Sequence, residues 1–84
     1  LVREVHEASI AYEIFLIIEE SVRKYNLEKV NLIVLSIGGY NGIFEESLKF
    51  AFTAISKGTK CEEAELIITK TEGFEMVVER IEGE

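Results

Sequence analysis

The sequence predicts an α+β domain: a small mixed three-stranded sheet with two helices on one face, in the order α-β-α-β-β. Three patterns carry this expectation. Two stretches repeat apolar residues every three or four positions, as amphipathic helices do. Between them lies a β-branched run of nearly continuous apolar character. Two shorter runs near the end alternate apolar and polar residues. Eighty-four residues allow a single domain, taken as residues 1–84.

The first helix is expected from about Ala8 to Tyr25. Ile10, Ile14, Ile17 and Ile18 fall at helical spacing, as do Ala11, Phe15, Val22 and Tyr25. Glu13, Glu20, Arg23 and Lys24 occupy the opposite face. "NLEK" turns the chain into "KVNLIVLSIGG", which reads as a strand covered on both faces. The loop "GGYNG" follows, and it lacks the G-x-x-x-x-G-K-[ST] spacing of a phosphate loop. A second helix starts near Phe44 or Glu45, with Phe44, Leu48, Ala51, Phe52 and Ile55 as its expected buried stripe. Lys57 stands in its last turn, and Gly58 suits the position just past the helix end.

After the polar connection "KGTKCEEA" come "AELIITKT" and "FEMVVERI". In the second, Phe74, Met76 and Val78 are expected on one face, with Val77 and Ile81 partly on the other. The short "TEG" between these runs predicts a hairpin, so the last two strands should pair antiparallel. The strand–helix–strand middle predicts a parallel pair. With both helices on one face, the other face is left open. Apolar residues there, such as Ile33 or Ile67, would favour self-association as a homodimer.

Composition narrows the function. A formal charge of −7 disfavours phosphate backbones and anionic membrane surfaces, and suits cations or basic proteins. No nucleic-acid or membrane partner is therefore expected. No apolar run approaches the roughly 20 residues of a bilayer span. The start shows no signal-peptide pattern, because Arg3, Glu4 and Glu7 interrupt its apolar residues. The expected location is the cytoplasm. Cys61 is the single cysteine, which forbids an internal disulfide and a C-x-x-C zinc pair and reads as a packing thiol. One histidine, one cysteine and no aspartate leave few catalytic sets, so no enzyme activity is expected.

Four segments, "HEASIAYEI", "LSIGGYNGI", "ESLKFAF" and "SKGTKCEEAEL", stand in an order and spacing that resembles the HypA family of hydrogenase nickel-incorporation proteins. The likeness runs from about position 5 to 81. It implies a nickel-binding accessory protein for nickel–iron hydrogenase maturation. It further implies Ni(II) as cargo, and a HypB-type GTPase and a hydrogenase large subunit as partners. By this resemblance His6 is the primary nickel ligand and Glu7 the secondary one. An acidic residue near the second helix start falls in register on Phe44, so Glu45, the next residue, is the candidate carried over.

Two departures accompany the likeness. The family's zinc domain, with its two C-x-x-C pairs, is missing between about Thr71 and Phe74, so no structural zinc is expected. The family's His-Glu pair directly follows an initiator Met, whereas here "LVREV" precedes it. A natural start at Val5, read as Met, would restore a free amine beside His6. That matters because an amine, the next amide and an imidazole can wrap one nickel ion. With a longer leader, His6 keeps only its imidazole, which binds metal in its neutral form.

Plain structural roles compete at each position. His6 also suits a polar helix start. Glu7, Glu45 and Glu46 suit the positive end of a helix dipole. The alternative function is a non-metal interaction module that kept a docking fold and lost metal handling.

Overall fold

The computed structural model describes residues 7–39 and 42–84. Its elements are α1 (Glu7–Tyr25), β1 (Val30–Gly38), α2 (Glu45–Ser56), β2 (Glu65–Thr71) and β3 (Met76–Gly83). This is the expected α-β-α-β-β order, and both helices cover one face of a three-stranded sheet.

Helix α1 buries Ala11, Ile14, Ile18 and Val22 along one stripe. Ile17 was expected there too, but it is 48% exposed, because its position on the helix turns it to the flank. Tyr25, the last residue of the helix, is exposed as well. The helix ends in a two-bond C-terminal cap. Asn26 takes φ 53°, its N–H donates to the Arg23 carbonyl at 3.3 Å, and the Leu27 N–H donates to the Val22 carbonyl at 3.0 Å. Leu27 then packs against the core beside Val22.

The sheet order is β2-β1-β3. Strand β1 pairs in parallel with β2 and antiparallel with β3. The parallel pair is as expected, but the β2–β3 hairpin is not formed. Both strands flank β1 instead, and residues 72–75 cross its end. A central strand has backbone donors and acceptors on both edges, and β3 satisfies the edge that β2 leaves free. The crossing is close at Gly38. A side chain there would collide with the backbone of Gly73 and Phe74, and the Gly38 N–H donates to the Glu75 carbonyl at 2.7 Å.

Ile33, Leu35 and Ile37 point to the helices and are buried. Ile33 therefore belongs to the core and not to the open face, where Ile67 does lie, 39% exposed. The period of two along β1 puts Leu32, Val34 and Ser36 on that open face. Leu32 and Val34 are half-buried there, so β1 is not covered by helices on both sides. The Ser36 hydroxyl donates to Glu79 Oε1 at 2.8 Å on this face. Val34 pairs with Arg80 and Leu35 with Val78, which leaves Glu79 as the extra residue of a bulge. The bulge shifts the alternation, so Ile81 joins Met76 and Val78 against the core instead of facing away.

Helix α2 contributes Leu48 and Phe52 to the core, with Ala51 and Ile55 at its margin. Phe44 departs from the expected stripe: it precedes the helix with extended dihedrals (φ −84°, ψ 117°) and is 73% exposed. The rings of Phe15 and Phe52 meet across the helix pair, 6.4 Å between centroids and tilted by 59°. Gly58, at φ 77°, follows α2 as expected. Each fully buried side chain such as Ile14, Ile18 or Leu48 contributes about 1.5–3 kcal/mol.

Candidate functional site

The chain direction collects several chemistry-bearing groups at one end of the sheet. Helices α1 and α2 both start there, and β1 ends there. The 72–75 crossing lies over the same end, against Gly38. His6 precedes Glu7 in the chain and lies outside the described residues, as does Val5.

Glu7 opens α1, and its Oε2 accepts a hydrogen bond from the Phe44 N–H at 3.2 Å. This bond bridges the starts of the two helices. Phe44 is the N-cap residue of α2 and makes no side-chain cap bond. Its carbonyl accepts the first helical bond, from the Leu48 N–H at 3.0 Å. Glu45 and Glu46 follow in the first turn, Glu45 half-buried and Glu46 exposed. The structure thus brings Glu7 to the residue immediately before Glu45. Acidic side chains in a first turn interact favourably with the positive end of the helix dipole. Among the described residues, no group of three His, Cys, Asp or Glu side chains is placed to hold a metal ion.

The Phe44 amide is a partner at this end that motif reading does not identify. Any residue except proline supplies a backbone N–H, so no side-chain pattern announces it.

Cys61 lies elsewhere. It is buried in the turn after α2, and burial pushes its thiol pKa up. The nearby Glu19 carboxylate raises it further, and the Thr59 hydroxyl works weakly against both. Glu19 stands on α1 roughly 18 Å from Glu7 at the usual helical rise. That separation keeps Cys61 from serving the Glu7 end. An open groove of about 800 Å³ between α1 and β3 is also remote; Ile17, Tyr25, Leu27 and Ile81 are among its walls.

Fold and site together define a small α+β domain that gathers the acidic starts of its two helices at one rim of the sheet. The family model described as "Hydrogenase/urease nickel incorporation, metallochaperone, hypA" matches residues 5–81, and the chain belongs to this HypA family. It is 44% identical over 64 residues to the hydrogenase maturation factor HypA of Prosthecochloris aestuarii, covering 76% of this chain and 57% of that protein. The HypA of Aquifex aeolicus is 38% identical over 63 residues, covering 75% of this chain and 55% of its own. The chain therefore spans a little over half the length of these curated relatives. The fold is similar to the solution structure of the Ni metallochaperone HypA from Helicobacter pylori. The TM-score is 0.71 and the identity 19%, over 90% of this chain and 72% of that one.

Proposed function

We propose that this chain is the nickel-handling part of a hydrogenase maturation accessory protein. It binds Ni(II) through His6, with Glu7 as second donor and Glu45 as a neighbouring carboxylate, and passes the ion toward a nickel–iron hydrogenase. Imidazole nitrogen and carboxylate oxygen are both suitable donors for nickel(II). The observation that carries this reading is the joining of the two acidic helix starts by the bond from the Phe44 amide to Glu7. The family match supports it, since residues 5–81 include both His6 and Glu7.

In this reading the chain is a binding protein of the cytoplasm, not a catalyst, and holds no structural zinc. It works with a HypB-type GTPase and the hydrogenase large subunit, and its open sheet face, with Ile67 and Val77 exposed, serves a homodimer. The rival reading is an interaction module that kept the docking fold and handles no metal.

Calorimetric nickel titration separates the two. It is run on the chain as given and on a chain starting at residue 5 with Val5→Met. The metal reading expects saturable binding, tighter for the shorter form, and its loss in His6→Ala. No binding in either form favours the module instead, and binding that survives His6→Ala overturns His6 as the primary ligand.

A further inference from the structure

The side chain of Phe44 is an exposed phenyl ring with no donor to offer a metal ion. Its main chain is nevertheless engaged with the candidate ligand. Resting on the nickel reading above, we propose that the Phe44 backbone N–H is a positioning group for the Glu7 carboxylate, so this position serves the metal end through its amide.

The geometry is specific. The Phe44 N–H donates to Oε2 of Glu7 at 3.2 Å, so Oε2 is the oxygen that is held and Oε1 is the one assigned to the metal ion. A hydrogen bond to a charged carboxylate is roughly twice as strong as one between neutral groups. It also fixes one rotamer of a side chain that otherwise moves in solvent, and so lowers the ordering cost of ligation. Phe44 itself is held, because its carbonyl accepts the Leu48 N–H and its dihedrals begin α2. The amide is thus anchored to a 12-residue helix whose Leu48 and Phe52 are buried in the core. Coupling of this kind is reciprocal: an amide that helps Glu7 bind metal is itself strengthened when metal binds.

The test uses the fact that a backbone group is indifferent to most substitutions. Phe44→Ala keeps the N–H and removes only an exposed ring. Phe44→Pro deletes the N–H, and the native φ of −84° lies close to the value a proline ring imposes. Ni(II) titrations are run on wild type and both variants, each with and without Glu7→Ala.

Loss of a partner that orients a metal ligand typically costs roughly 10–100-fold in affinity, and an exposed bond belongs at the low end. The expected result is wild-type affinity in Phe44→Ala and about tenfold weaker binding in Phe44→Pro. The proline effect should vanish in the Glu7→Ala background. Equal affinity for alanine and proline overturns this inference alone, as does a proline effect that persists without Glu7. A wild-type chain that ignores nickel overturns the nickel reading and this inference with it. A second readout needs no variant to fold: exchange of the Phe44 amide in the wild-type chain should slow at least threefold on nickel loading. Unchanged exchange at that amide overturns the proposal.

Discussion

Substituting Gly38 by alanine tests the crossing that sets the sheet order. Its φ is not in the left-handed region, so conformational freedom is not what demands glycine here. Space is. A Cβ on Gly38 would run into the Gly73 carbonyl group and lie 2.7 Å from the Phe74 nitrogen, and all of these are backbone atoms that cannot rotate away. The 72–75 crossing must lift. Overpacking of this kind costs about 1–3 kcal/mol. Lifting also disturbs the bond from the Gly38 N–H to the Glu75 carbonyl, worth about 1 kcal/mol. Together these give about 3 kcal/mol, or roughly a hundredfold change in the folding equilibrium. In urea, with a slope of about 1 kcal/mol/M for so small a chain, the midpoint should fall by roughly 3 M. Gly39→Ala is the matched control. Its Cβ would sit at an ordinary 3.5 Å from the Thr71 carbonyl oxygen, so its stability should stay within about 0.5 kcal/mol of wild type. If Gly38→Ala unfolds at the wild-type midpoint, residues 72–75 do not cross the end of β1 as described.

The two faces of the sheet give a second test. Ile33→Ala should cost about 2–5 kcal/mol, because Ile33 is fully buried, whereas Ile67→Ala on the open face should cost less than about 1 kcal/mol; chemical denaturation compares them. Cys61 should resist thiol reagents in the folded chain and react only as it unfolds, since burial and Glu19 both disfavour its thiolate. The raised pKa also makes stability depend on pH. Its contribution is complete below the ordinary thiol range and is lost as pH rises through the raised value, so Cys61→Ala should flatten the alkaline side of the stability profile. At Asn26, where φ is 53°, Asn26→Gly should be neutral or slightly stabilising and Asn26→Val should lower the thermal midpoint by several degrees.

The candidate site was legible only as far as its side chains. The family match takes in His6 and Glu7, and the acidic start of α2 is plain from Glu45 and Glu46. Where His6 lies relative to these groups is outside the described residues. The contact that joins Glu7 to α2 uses a main-chain amide, and a residue alphabet does not encode main-chain partners.

By itself the sequence determined the order of the elements, most of their boundaries and the core residues Ala11, Ile14, Ile18, Leu48 and Phe52. Those are local matters, written in the period of three to four residues along a helix and the period of two along a strand. Tertiary structure decided which strand takes which edge of β1, where the bulge at Glu79 turns Ile81 inward, and that Phe44 stays outside. The physical reason is that edge choice depends on backbone groups left unpaired by a strand distant in the chain. Alternation of side chains reports one strand's faces but says nothing of which neighbour its amides will meet.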